Sequence, residues 1–106
     1  MHLLLDECID ERLRFLFSGH TCHSARYAGL AGLKNGELLL AAEARGFGAI
    51  ITVDQNMPDQ QNLASVSLSL LILCAPTNRL IDLQRLVPTA LGVLDSIKPG
   101  QAVKIR

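Results

Sequence analysis

Val66-Ser67-Leu68-Ser69-Leu70-Leu71-Ile72-Leu73 is β-rich and carries apolar residues on both alternating faces. A strand needs two apolar faces when both are covered, as in a central strand of a sheet with helices on either side. Working outward, residues 49–53 and 2–5 read as further short buried strands. Thr21–Ser24 is another, and Ala102–Ile105, after the turn Pro99-Gly100, is the last.

Helical periodicity fills the intervals. Ile9, Leu13, Leu16 and Phe17 share one face of a helix that Ser18-Gly19 ends. Asn35 is a good N-cap for a helix reaching about residue 45, with Leu38, Leu39, Ala41, Ala42 and Ala44 as a wide apolar face and Gly46 as its stop. Leu80, Leu83, Val87, Ala90, Leu91, Leu94 and Ile97 form a last stripe, which Pro88 makes either one kinked helix or two in succession. Residues 25–34 are a Gly-rich loop, and residues 55–62 can hold at most a short helical turn. Alternating strands and helices in 106 residues predict one three-layer α/β/α domain with a mainly parallel central sheet.

Ten basic and ten acidic residues cancel, so no global field draws nucleic acid or membrane, and such affinity has to come from a local patch. A neutral, rather apolar small chain has little charge repulsion to oppose self-association or a partner. The cysteines Cys8, Cys22 and Cys74 are odd in number and widely spaced, which points to small buried hydrophobes, no disulfide framework and a cytoplasmic setting. No signal-peptide pattern opens the chain and its longest apolar run is broken by serines, so a soluble protein is expected, with no membrane partner.

Acidic residues recur at intervals of about one βα unit: Asp6-Glu7 after Leu3-Leu4-Leu5, Glu37 in Asn35-Gly36-Glu37-Leu38-Leu39, and Asp54 after Ile50-Ile51-Thr52-Val53. Carboxylates at the ends of parallel strands and at a helix start lie along the edge where open α/β sheets place their sites. Each has a bland alternative, because acids complement helix N-termini and Asp favours turns. Their joint pattern is more specific. Converging acids repel unless a cation neutralises them, and Mg²⁺ or Mn²⁺ prefers such hard oxygen donors. A bound cation can then activate water and neutralise a phosphodiester. His20 and His23 flank Cys22 without the paired spacing of a zinc site, and the Gly-rich loop matches neither phosphate-binding pattern.

The series Leu3-Leu4-Leu5-Asp6-Glu7, Asn35-Gly36-Glu37-Leu38-Leu39, Ile51-Thr52-Val53-Asp54 and Ile97-Lys98-Pro99-Gly100 resembles the small PIN-like domains along nearly the whole chain. That resemblance implies the fold of PIN ribonucleases and a Mg²⁺- or Mn²⁺-dependent endoribonuclease, often the toxin of a toxin-antitoxin pair. It implies Asp6, Glu37 and Asp54 as metal-binding catalytic acids, with Glu7 as a neighbour that orients water. Relatives commonly carry a second Asp two residues after the acid aligned with Asp54, followed by an aromatic. Here Asn56 and Met57 stand at those positions. Asn offers an oxygen without charge, which puts metal affinity and catalysis in question, and Asp59 is a possible substitute.

Arg12, Arg14, Arg26 and Lys34 come from segments near the acidic edge and are the candidate phosphate-binding residues for an RNA substrate. Aromatic stacking platforms are scarce, with one Tyr and three Phe. Phe15, off its helix stripe and near Arg12, is the expected docking point for an antitoxin-like protein or for a second copy in a homodimer. Two other readings compete. A degenerate PIN-like binding module would lack catalysis, and a phosphoacceptor receiver would use Asp6-Glu7, Asp54 and Lys98, although Lys98 follows a helical stripe rather than ending a strand.

Overall fold

The computed structural model describes residues 1–33, 35–57 and 66–106, apart from the side chain of Asn35. Five strands, β1 (His2–Leu5), β2 (Thr21–Ser24), β3 (Ala49–Thr52), β4 (Ser69–Leu73) and β5 (Ala102–Ile105), form one sheet in the order β2-β1-β3-β4-β5. Every neighbouring pair is parallel. The fold is therefore a three-layer α/β/α arrangement, as the alternation of elements predicts.

The stretch that anchors this reading behaves as a central strand. β4 is buried at all five positions and pairs with β3 on one side and β5 on the other. It is shorter than the apolar run, because the chain joins the ladder only at Ser69, whose hydroxyl donates to the Lys98 carbonyl at 2.9 Å. Leu71 and Leu73 face one layer and Leu70 and Ile72 the other. Truncating such a leucine to alanine leaves a cavity and destabilises by about 2–5 kcal/mol.

On the first face, Leu3, Leu5, Ile51, Leu71 and Leu73 pack against Ile9, Leu13, Phe17, Leu83, Val87 and Leu94. The first helical segment is a short 3-10 helix, Glu11–Leu16, N-capped by the Asp10 side chain accepting from the Arg12 N–H. Leu16 does not join the apolar stripe and is exposed. The tight helix ends there, and Phe17, at non-helical φ −88° and ψ 68°, turns inward in its place.

On the second face, Leu4, Ile50, Leu70 and Ile72 meet α1 (Asn35–Ala44) through Leu38, Leu39 and Ala42. Gly46 ends α1 as expected, with φ +83°. The Gly46 and Phe47 N–H groups donate back to the Glu43 and Ala42 carbonyls, a Schellman closure in which Phe47 joins the same apolar cluster as Ala42. The late stripe resolves into α2 (Leu80–Gln84) and α3 (Val87–Leu94). Pro88 lies in the first turn of α3, where its missing N–H breaks no helical bond.

Crossover geometry places the site. From β1 to β2 the chain steps one way with its 3-10 helix on the first face, whereas from β2 to β3 it returns past β1 with α1 on the second face. Strand order thus reverses between β1 and β3, and the carboxyl ends of these two strands are where open α/β sheets place their ligand crevice. The β4-to-β5 crossover steps away from β1 with α2 and α3 on the first face, so its hand is opposite to the other two, an exception to a strong rule.

Candidate active site

At the switch point the β1–β3 ladder continues one residue beyond β1, with the Asp6 N–H donating to the Ile51 carbonyl at 2.9 Å. That bond fixes the Asp6 backbone at the carboxyl end of the β1–β3 pair, and the residue is 8 % exposed. Carboxylate Oδ1 accepts the Glu7 N–H at 2.8 Å, and Oδ2 accepts the Thr52 hydroxyl at 2.8 Å. Thr52 is fully buried, and its Oγ1 in turn accepts the Asp54 N–H at 3.1 Å. Thr52 therefore couples two of the three expected acids: it orients the Asp6 carboxylate and holds the backbone of Asp54.

The Asp54 side chain bends into an Asx turn, accepting the Asn56 N–H at 2.9 Å. The Met57 N–H donates to the Asp54 carbonyl at 3.2 Å, and the Met57 side chain is buried in the second apolar cluster. Met57 thus anchors this loop in the core. Asn56 is exposed.

Glu7 is also exposed, with its carboxylate accepting the Gly32 N–H at 3.2 and 3.3 Å to its two oxygens. Gly32 has φ +87°, a conformation that side chains rarely adopt, so the Gly-rich loop has a defined task in meeting Glu7. Glu37 is exposed in the first turn of α1. Among the described residues, no three His, Cys, Asp or Glu side chains converge closely enough to hold a metal ion. The coupling in this structure is between Asp6 and Asp54. Asp59 and Lys34, and the capping role expected of Asn35, lie outside the described residues.

A cleft of about 260 Å³ opens beside these acids toward β2, lined by Glu7, Ile9, Glu11, Ser24 and Arg26. Ser24 pairs with Leu5 across the ladder, and its hydroxyl donates to Glu11 at 3.4 Å while accepting the Tyr27 N–H at 3.1 Å. Of the expected phosphate-binding residues, Arg26 reaches this cleft. Arg12 is instead ion-paired with Asp10 at 2.6 Å, and Arg14 lies over the ring of Phe15, 4.1 Å from its centroid. Phe15 is 68 % exposed.

Cysteine placement corrects one expectation. Cys22 is a buried hydrophobe whose thiol is pushed up to about 12 by burial, but Cys8 is exposed and Cys74 half-buried. Partial burial, then the charges of Asp6, Glu7 and Asp54, raise the Cys8 thiol, so these three carboxylates act on a common point. His23 is one residue along β2 from Cys22, whose side chain belongs to the other face of the sheet, which separates the two as zinc ligands. Lys98 lies just before β5, at the sheet edge opposite Asp54, so the receiver arrangement of acid and lysine does not form.

Thr52, Ser24 and Glu11 had no role in the sequence reading. For Thr52 a signal existed: a hydroxyl inside an apolar strand, two residues before an acid, has to find a buried partner. Ser24 and Glu11 are brought together only by the β1–β2 pairing. Compared with known protein families, with curated proteins and with solved structures, the chain has no match in any of the three.

Proposed function

We propose that this chain is a Mg²⁺- or Mn²⁺-dependent endoribonuclease of the PIN-like kind, acting at the crevice between β1 and β3. The observation that carries the reading is Asp6. The residue is buried, and its carboxylate is hydrogen-bonded by neutral groups, the Glu7 N–H and the Thr52 hydroxyl. Among the described residues its charge has no basic partner, since the ion pair formed there joins Arg12 to Asp10. Buried charge is costly unless compensated, and the Asp6–Asp54 pair supplies the hard oxygens a divalent cation prefers.

The donor set fits such an ion. Among the described residues, each Asp6 oxygen accepts one hydrogen bond, which leaves it a second lone pair, and Asp54 Oδ2 accepts none. Mg²⁺ commonly takes one or two carboxylates and completes its shell with water and substrate phosphate, so two coupled acids suffice. When bound, the cation would lower the pKa of a coordinated water and offset charge on the phosphodiester. Around it, Thr52 holds Asp6 in orientation, Glu7 on the cleft wall accepts a proton from water, and Arg26 binds a flanking phosphate. Glu37 is the third acid if α1 moves toward the edge.

A cytoplasmic location and an antitoxin-like partner or homodimer belong to the same proposal. The exposed Phe15, with Arg14 over its ring and Leu16 beside it, gives a partner an aromatic and cationic foothold. No helix among the described residues is long and apolar enough to cross a membrane. One observation favours the alternative of a non-catalytic binding module: Asn56 contributes no charge next to Asp54. The test is cleavage of a structured RNA in Mg²⁺ or Mn²⁺ by wild type and by Asp6→Asn. Divalent-dependent cleavage lost in the variant supports the nuclease, and cation binding without cleavage supports the binding module.

A further inference from the structure

Four rings form a ladder from the second apolar cluster to the surface. His2 stacks on Phe47 at 4.0 Å between centroids and meets His23 edge-on at 5.3 Å, and His23 stacks on Tyr27 at 4.8 Å with an interplanar angle of 18°. Phe47 is buried, His2 and His23 are half-buried, and Tyr27 is 77 % exposed. One face of the Tyr27 ring is therefore fixed against His23 and the other is open to solvent. Burial, then the neighbouring His23, keeps His2 below its ordinary value of 6.5, so at neutral pH that rung is an uncharged aromatic.

The backbone under Tyr27 is equally fixed. Its N–H donates to the Ser24 hydroxyl, and the Ala28 carbonyl accepts a hydrogen bond from the Arg45 guanidinium at 2.5 Å. Tyr27 is thereby flanked by two cations, Arg26 on the cleft and Arg45 on the loop, both exposed. The β1–β2 register places this segment beside the acids: Leu5 pairs with Ser24, and the Ala25 N–H donates to the Leu5 carbonyl immediately before Asp6. A flat, open, pre-stacked ring with one guanidinium on the preceding residue and another at the following residue's carbonyl fits an unpaired base and its phosphates. A duplex hides its base faces and has no use for such a ring.

We propose that Tyr27 is the platform on which a base of single-stranded RNA stacks, with Arg26 and Arg45 holding its flanking phosphates, so that the strand is led past Asp6. This deepens the nuclease reading and rests on it for the identity of the nucleic acid. Tyr27 is the sole tyrosine, and tryptophan is absent, so intrinsic fluorescence reports on this ring alone.

The test titrates a short single-stranded oligoribonucleotide into the full chain at low salt with EDTA, which prevents metal-dependent cleavage. Matched titrations use an abasic oligomer of equal length and a duplex of the same sequence. The expected result is quenching by the base-containing single strand and little by the other two. By anisotropy of a labelled strand, Tyr27→Ala should bind roughly 5- to 150-fold more weakly, and Tyr27→Phe within about twofold of wild type. Tyr27→Ala should melt like wild type, because the ring is exposed. Absence of quenching, equal quenching by the abasic strand, or unchanged affinity in Tyr27→Ala overturns the proposal. Cleavage of RNA in Mg²⁺ without quenching would sink the platform and leave the nuclease standing. Quenching without cleavage in any divalent cation would do the reverse.

Discussion

Two aspartates four residues apart live under opposite conditions. Asp10 is on the surface, gripped by the Arg12 side chain through three hydrogen bonds and by its N–H, and these hold its carboxyl down at about 2. Asp6 is buried and, among the described residues, is hydrogen-bonded by a backbone N–H and a threonine hydroxyl. An exposed carboxylate that the chain already neutralises belongs to the local structure of the 3-10 helix. A buried one that has no counter-charge among the described residues is where the proposed cation would act.

The largest expected break in this contrast is catalytic. Asp6→Asn or Asp54→Asn should abolish divalent-dependent RNA cleavage, while Asp10→Asn should leave it within about twofold of wild type, since one hydrogen-bonded pair belongs to the site and the other to a cap. Thermal melts without metal should show Asp6→Asn as stable as wild type or more so, because it removes a buried charge. Equal cleavage by all three variants would assign the activity to a contaminant or to other residues.

A smaller effect tests the coupling. Thr52→Val keeps the shape of the buried side chain and deletes the hydroxyl that joins Asp6 to Asp54. By analogy with other residues that orient metal ligands, it should weaken Mn²⁺ affinity about 10- to 100-fold. It should also destabilise the fold by about 1–3 kcal/mol through lost hydrogen bonds to buried groups. Affinity unchanged in calorimetry would mean that Thr52 is only a core residue. Smaller still, Asn56→Asp should raise Mn²⁺ affinity and cleavage by restoring charge beside Asp54. No gain would place Asn56 outside the site.

The smallest effect concerns Asp10 and pH. Asp10 has a folded pKa below its ordinary 3.8, so its contribution to stability is complete above that value. It should fade as pH falls toward about 2, where the folded state takes up the proton as well. Arg12→Ala should flatten the acid limb of the stability curve and change little at neutral pH, because exposed ion pairs are weak. A large loss of stability at pH 7 in this variant would show that the pair supports more than a cap.

Much of the fold was legible because its signals are local. Apolar runs bounded by turn residues gave all five strands, Gly46 gave the end of α1, and Pro88 marked the late stripe as kinked or divided, of which the structure shows the second. The first helix misled, since Ile9, Leu13, Leu16 and Phe17 fit a 3.6-residue period that a six-residue 3-10 helix does not sustain. At the site, Asp6 and Asp54 were readable as acids ending strands. Their link through Thr52 depends on the β1–β3 register, and the Tyr27–His23–His2–Phe47 ladder on bringing together three separate segments. No spacing along the chain encodes either one. Cys8 departs from the usual burial of free cysteines because it lies beyond the end of β1, on the exposed turn.

The central claim, that the fold buries Asp6 for a cation it does not itself supply, is tested most directly by calorimetric titration of Mn²⁺ into wild type, Asp6→Asn and Asp10→Asn. The account predicts one saturable site per chain in wild type and in Asp10→Asn, and none in Asp6→Asn. Absence of saturable binding in wild type, or the same affinity in Asp6→Asn, would contradict it.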